Sequence, residues 1–191
     1  KPISSAKKCA AQSRGQAPVP FNCSIYPEPA MNKQELQTDM ADARNALLTV
    51  LRALPEEAIL KPGTVGRWSI TDVVAHITAW EDRLLTAAQK VLWGDGRLVE
   101  WIRSDAELEA WNERNYRRLR DWSWPEVLRG LALQREETAW NVTFLSEEQL
   151  QAAYQVGERV VTVGGLLAGI AEHDREHLPT IQQQLESVSS R

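Results

Sequence analysis

Thiols and long apolar runs are scarce in this sequence. Its 191 residues contain two cysteines, Cys9 and Cys23, and a disulfide between them is possible. The chain after residue 30 has no cysteine. Thiolate nucleophiles and thiolate metal ligands are therefore excluded from most of the chain. The sequence has neither a run of about eighteen apolar residues to span a membrane nor the apolar core of a signal peptide. We expect a soluble, cytoplasmic protein with no membrane partner.

An excess of basic charge is also missing. The formal net charge is −4, and the first thirty residues carry four basic side chains against one acidic, so the remainder carries −7. A nucleic-acid surface usually needs a concentration of lysine and arginine. The composition therefore predicts that nucleic acid is not a partner.

The first thirty residues differ in composition from the rest. They are rich in proline, serine and alanine and show no sustained helical or strand period, which is typical of an irregular tail. The remaining residues are enough to bury a sizeable core. We predict an irregular N-terminal extension over residues 1–30 and one helical domain over residues 31–191.

Capping residues and apolar spacing predict five helices. Asn32 with Glu35 forms a capping box before the first helix, and Pro55 ends that helix. Further helix starts are marked by Ser69, Ser104, Ser123 and Thr162. The helices are expected over residues 32–54, 69–93, 104–120, 123–145 and 162–186. Since no alternating strand segments interrupt them, the predicted fold is all-α, an up-and-down four-helix bundle with an additional short helix and the irregular tail.

A weak internal repeat accompanies this pattern. At one offset of 91 residues, LPEE at 54–57 matches LSEE at 145–148, Val65-Gly66 matches Val156-Gly157, and Thr71 matches Thr162. The matches predict two similar helix-loop-helix units packed as a pair. The alternative is that the ends of helices resemble one another in general.

The three histidines of the chain share one property. His173 and His177 lie four residues apart on the apolar stripe of the last helix, and His76 lies on the apolar stripe of the second. All three should face the bundle interior, where an unpaired imidazole costs about 1–3 kcal/mol. One divalent metal ion bound by all three would satisfy them. The alternative is that each is a core histidine bonded to a nearby carboxylate.

Two segments resemble a known family. WSITDVVAHITAWE at 68–81, with VGGLLAGIAEHDREH at 163–177, is similar to the DinB-like (YfiT-like) superfamily. The resemblance implies a four-helix bundle that holds a divalent metal, often nickel, zinc or iron, on His76, His173 and His177. The middle segment EAWNERNYRRLRDWSWPEVLRGL at 109–131 looks more particularly like the ClbS/DfsB branch, which includes a self-resistance protein against colibactin.

Three neutral imidazoles leave the full charge of a metal ion to act on bound water or on a thiol, either of which becomes a nucleophile near neutral pH. We therefore predict a metal-dependent hydrolase, or an S-transferase that uses a low-molecular-weight thiol as cosubstrate, as some DinB-like proteins do. Glu81, five residues after His76, is the candidate catalytic base, and Asp174 and Glu176, beside the other two histidines, are the alternatives. Each of the three carboxylates can instead be a solvated helix charge or a group that orients an imidazole. The alternative is a non-catalytic protein of the ClbS/DfsB type that binds a metal or sequesters a small molecule.

Aromatic residues are concentrated near the predicted site. Among the eight tryptophans, Trp68 and Trp80 flank the His76 segment, and with Arg67 they are the candidate pocket residues. Tryptophans usually fill a core, but they can also form an aromatic wall for a flat or apolar ligand. We expect a small-molecule substrate or ligand. A further alternative is that the tryptophan-rich helices are buried in a homodimer interface.

Overall fold

The computed structural model describes residues 31–156 and 159–189 of the chain. Its four long helices are α1 (Lys33–Ala53), α3 (Ile70–Leu92), α5 (Trp124–Phe144) and α7 (Val163–Ser189). Between them lie the helices α2 (Glu56–Leu60), α4 (Asp105–Leu119) and α6 (Glu147–Gln151) and a single 3₁₀ turn (Gly96–Leu98). The extension predicted over residues 1–30, with both cysteines, lies outside the described residues.

The predicted helix starts are confirmed by reciprocal capping. The backbone N–H of Glu35 donates to the side chain of Asn32 at 2.9 Å, and the N–H of Asn32 donates to the Glu35 carboxylate, also at 2.9 Å. Ser69 and Ser123 form equivalent boxes with the residues three positions later. Each box satisfies backbone N–H groups that the first helical turn leaves unpaired. Local sequence therefore determines where these helices begin.

A short β-hairpin was not predicted. β1 (Ala153–Val156) pairs antiparallel with β2 (Arg159–Thr162), with Ala153 opposite Thr162. The expectation that no strand interrupts the helices is wrong here, because strands of four residues are too short to show a clear alternation of polar and apolar positions. The hydroxyl of Thr162 accepts the N–H of Gly165 at 2.9 Å, so the second strand leads directly into α7.

The all-α bundle is confirmed, but the directions of its helices do not strictly alternate. α7 packs against both α1 and α3, and α5 packs mainly against α3. Both α3 and α5 begin in one apolar cluster and end in the other, so they run in the same direction. The long connection that contains α4 makes this possible, because it returns the chain to the end where α3 began.

Two apolar clusters fill the bundle. One includes Leu36, Met40, Leu84, Val142, Leu167 and Ile170, and the other includes Leu47, Ile70, Ile77, Leu131 and Ile181. Between the two sets, each long helix directs one charged side chain into the bundle, and these are Arg44, Glu81, Arg135 and Asp174. A polar layer therefore crosses the middle of the bundle.

The structural elements repeat along the chain. α1 and α5 begin and end 91 residues apart, and so do α2 and α6. The antiparallel bridge between Val65 and Trp68 recurs at the same offset as the Val156–Arg159 pair of the hairpin. Only α7 departs, since it begins two residues late relative to α3. The two predicted helix-loop-helix units are thus present as corresponding halves of the bundle.

No helix in the described part of the chain combines the length and the apolar character needed to cross a membrane.

Candidate metal centre

The three histidines meet inside the bundle. His76 projects from α3, and His173 and His177 project from successive turns of α7. Their side chains are buried, with exposed fractions of 6%, 4% and 9%. One ring nitrogen from each histidine lies within 4.8 Å of those of the other two. The prediction that all three face the interior is confirmed, and metal binding by them stays a prediction.

The donor geometry is compatible with a shared cation. Nε2 of His173 and Nε2 of His177 are 3.1 Å apart. Nitrogen ligands at about 2.0–2.1 Å from a tetrahedral zinc ion are separated by roughly 3.3 Å. Nδ1 of His76 is buried and has no hydrogen-bond partner, although buried ring nitrogens are nearly always satisfied. A cation that His76 bound through Nδ1 would supply the interaction that this nitrogen lacks.

Burial keeps the imidazoles neutral. It lowers the pKa of His76 and of His173 well below the usual range, and repulsion from neighbouring histidines adds to the effect. Burial also lowers the pKa of His177 to about 4, although the nearby Asp174 carboxylate acts in the opposite direction. Neutral imidazole is the form that binds a metal ion, so the site needs no deprotonation near pH 7.

Aromatic rings surround the histidines. The ring of Trp68 lies 5.1 Å from that of His76, and Trp80 lies 6.2 Å from His76 and 5.6 Å from His173. Trp111, on α4, approaches His76 at 6.4 Å and packs against Trp80 at 4.5 Å. The indole N–H of Trp80 donates to Asn112 at 3.3 Å, which fixes the orientation of its ring. Trp111 was not predicted as a site residue, because the sequence of α4 does not show that this helix approaches the histidines.

The predicted pocket residues occupy different places. Trp68 and Trp80 pack directly on the histidines. Arg67 instead lies over the ring of Tyr116 and forms an ion pair with Glu113. Its link to the histidines is indirect, through the stacking of Tyr116 on Trp68 at 6.0 Å.

Glu81, the predicted base, belongs to the polar layer. Its carboxylate is 1% exposed, 2.7 Å from the Arg44 guanidinium and 2.9 Å from Nε of Arg135. The Nε–Oε1 contact lacks hydrogen-bond alignment, but Nη2 of Arg135 donates to the other carboxylate oxygen of Glu81 at 3.3 Å. Asp174 contacts the same two arginines at 2.9 and 3.0 Å. The four side chains form an ion cluster with one member from each long helix.

The ion cluster adjoins the metal-site candidates through the chain itself, because Asp174 follows His173. Burial acts to lower the pKa of Arg44, but hydrogen bonding and attraction to Asp174, with attraction to Glu81, outweigh it and raise that pKa. For Arg135 burial prevails, and the pKa is lowered. Sequence reasoning missed Arg44 and Arg135; the signal was a charged residue on an otherwise apolar helical stripe.

A cavity of about 700 Å³ lies beside the histidines, between α3, α4 and residues 99–105. Trp80 and Trp111 line it and also pack on the histidine rings, so the two indoles stand between the cavity and the metal-site candidates.

Comparison with known proteins identifies relatives of the fold. A sequence profile of the DinB superfamily matches residues 39–181. The structure is similar to that of an uncharacterised protein from Escherichia coli UTI89, with a TM-score of 0.68 and 12% identity over 83% of this chain and 95% of that one. It is also similar to the colibactin self-resistance protein ClbS, solved in complex with double-stranded DNA, with a TM-score of 0.65 and 14% identity over 86% of this chain and 99% of that one. No protein of curated function matches the sequence significantly.

The expectation that nucleic acid is excluded as a partner is wrong. ClbS has the same fold and has been solved with double-stranded DNA, so the fold is compatible with such a partner. Net charge did not predict this possibility, because it averages over the whole chain. Residues 114–120 hold four arginines and no carboxylate in a chain that is acidic overall.

Proposed function

This chain belongs to the DinB superfamily, and we propose that it binds one divalent metal ion, nickel, zinc or iron, on His76, His173 and His177. We further propose that the metal serves a hydrolase or a thiol-dependent S-transferase. The observation that supports the proposal best is the meeting of all three histidines of the chain in one buried group. Nε2 of His173 and Nε2 of His177 contact each other, and Nδ1 of His76 has no hydrogen-bond partner, so a cation shared by the three rings would satisfy the group.

A metal ion on three uncharged ligands supplies a Lewis acid that makes a water molecule or a thiol nucleophilic near neutral pH. The residues of this chain would orient the metal ligands and exclude bulk water from the site. His173 and His177 present Nε2 atoms to one point from successive turns of α7. Trp68 and Trp80 cover the rings and limit the access of bulk water, which strengthens electrostatic interactions inside the site.

For Glu81 we propose a positioning role in place of the predicted proton transfer. Its carboxylate is 1% exposed and is held between two guanidinium groups, so it is not placed to contact a substrate. The ion cluster instead ties α7 to the other long helices, and so fixes the turn that carries His173. The proton acceptor of the reaction is then a group other than Glu81.

A second candidate is a non-catalytic protein that sequesters a small molecule or confers resistance to it. The observation that favours it is the engagement of Glu81 and Asp174 by arginines, which leaves neither carboxylate available as a base. The fold is shared with ClbS, a self-resistance protein. Under this proposal the histidine group holds a metal or a ligand without turnover.

The test is elemental analysis of untagged protein purified without chelators, beside the variants His76→Ala and His173→Ala. One equivalent of metal that disappears in both variants is expected. Glu172→Ala, an exposed change on the same helix, is the matched control and should keep the metal. Circular dichroism verifies that each variant is folded. Absence of metal from folded wild-type protein, also after incubation with nickel, zinc or iron, would sink the proposal.

Turnover separates the two candidates. The metal-loaded protein is incubated with low-molecular-weight thiols and electrophiles, and with hydrolysable esters and amides. Product that forms only with metal-loaded wild-type protein supports the enzyme. Stoichiometric binding of a small molecule without product supports sequestration.

A further inference from the structure

The cavity beside Trp80 and Trp111 carries an excess of positive charge. Five basic side chains line it, and they are Arg83, Lys90, Arg103, Arg118 and Arg159. Three carboxylates face them, on Asp82, Glu100 and Asp105. Within the described ranges, none of the five cations forms an ion pair within 4.0 Å. In the described residues, the lining therefore has two positive charges more than it has negative.

Two of the cations are held in place by indole rings. The guanidinium carbon of Arg83 lies 5.6 Å from the ring centre of Trp80 and 5.2 Å from that of Trp111. The guanidinium carbon of Arg159, in β2, lies 5.5 Å from the ring centre of Trp101. Cation–π contacts of this kind fix a guanidinium group while leaving its N–H donors available. The two arginines are thus oriented before any ligand arrives.

Arg83 is half-buried, and burial lowers its pKa even though Glu100 acts to raise it. One N–H of Arg83 already donates to the backbone carbonyl of Glu100. The remaining donors have lost part of their contact with water, so an anion that accepts from them replaces hydration that is already incomplete. A half-buried guanidinium therefore binds an anion better than a fully exposed one.

The rest of the lining is apolar and flat. Trp80, Trp101 and Trp111 contribute three indoles, and Ile102, Leu108 and Leu166 add aliphatic surface. About 700 Å³ is within the range of pockets that take a ligand of ordinary metabolite size. Aromatic walls with a few converging cations select for a ligand that has both a planar part and a negative charge.

We propose that this cavity is a binding site for a small organic anion with a planar apolar part, whose charged group is bound by Arg83 and Arg159. The site goes beyond the proposed function, because the cavity needs no metal ion to bind its ligand. If the metal site is also present, the cavity would hold the substrate beside it, because Trp80 lines the cavity and its ring packs on His173.

The test is isothermal titration of the full chain with 2-naphthoate, and with 2-naphthylmethylammonium as a cation of the same shape. We expect saturable one-to-one binding of the anion and binding of the cation at least about tenfold weaker, since charge-assisted hydrogen bonds form only with the anion. Arg83→Gln and Arg159→Gln should each weaken naphthoate binding about tenfold. Arg52→Gln removes one positive charge from the exposed face of α1, away from the cavity, and should leave the affinity unchanged.

The exposed position of Arg159 keeps the test falsifiable if Arg83→Gln does not fold. Equal binding of the anion and the cation, or wild-type affinity in folded Arg159→Gln, would overturn the inference. Running every titration on chelator-treated and on zinc-loaded protein separates it from the proposed function. Naphthoate that binds only in the presence of zinc is a metal ligand, which contradicts the inference and leaves the metal site standing. Naphthoate binding that depends on the arginines, in a protein that takes up no metal, supports the inference and contradicts the proposed metal site.

Discussion

Arg44 and Arg135 lie 91 residues apart, at corresponding positions of α1 and α5, and their guanidinium groups contact the same two carboxylates. Those carboxylates correspond as well, because Glu81 and Asp174 each lie eleven residues after the first residue of their helix. The two corresponding halves of the bundle thus each contribute one guanidinium group and one carboxylate to its centre, where the charges neutralise one another.

Removal of Arg44 should destabilise the fold strongly. Arg44→Gln leaves Glu81 and Asp174 with one guanidinium between two buried carboxylates, and breaking a buried ion pair in this way costs about 3–5 kcal/mol. Urea unfolding followed by circular dichroism measures the loss. Arg175→Gln is the control, because its exposed pair with Asp39 should contribute about 1 kcal/mol or less. Equal stabilities of the two variants would contradict a structural role for the ion cluster.

Replacement of Glu81 distinguishes a positioning residue from a base. Glu81→Gln keeps the shape of the side chain but removes its charge, so we expect a loss of about 3 kcal/mol or more in the free energy of unfolding. At saturation the variant should still bind one equivalent of metal, because no histidine is changed, but its metal affinity should fall about tenfold or more, because the turn that carries His173 is less firmly fixed. If the variant is as stable as the wild type and loses only turnover with a change in the pH profile, Glu81 is a base after all.

The helix boundaries were predictable because capping is local. Asn32 with Glu35 and Ser123 with Glu126 are separated by three residues, so the sequence alone shows both partners. The inward orientation of the histidines was predictable for the same reason, since it depends only on the period of each helix. That the three histidines lie close together was only a hypothesis, because it depends on how α3 packs against α7.

The ion cluster and the cavity were not predictable in this way. Arg44 and Asp174 are 130 residues apart, and a charged residue on a helix shows its partner only once the helices are packed. The direction of α5 was equally hidden, because either direction buries the same apolar face. The cavity depends on how α4 and residues 99–105 lie against α3, and loops of this length have no periodic signal.

The metal-free protein should lose stability in mild acid through His177. Burial lowers the pKa of His177 from about 6.5 to about 4, so between these values the unfolded chain binds a proton that the folded chain does not. Stability contributed by the neutral imidazole is therefore complete above about pH 6.5 and is lost as the pH falls toward 4. The loss from this one group is on the order of 3 kcal/mol.

Urea unfolding of chelator-treated wild type and of His177→Gln, at intervals from pH 7 to pH 4, checks this effect. Carboxylates contribute to both proteins alike, so the difference between the two curves reports on His177. The stability of the wild type should fall more steeply with decreasing pH. Parallel curves would mean that His177 is accessible to protons in the folded state.

Metal binding should raise the stability of the folded state. The three imidazoles converge only when α3 and α7 are packed, so an ion that binds all three favours the folded chain over the unfolded one. At a free zinc concentration about one hundred times the dissociation constant, the expected gain is about 2.7 kcal/mol, observed as a rise in the thermal midpoint that grows with zinc and is reversed by a chelator. His173→Ala removes one ligand, and its midpoint should not respond at the same zinc concentrations. A similar rise in both proteins would show that the stabilising zinc binds elsewhere on the chain, because the variant cannot form the three-histidine site.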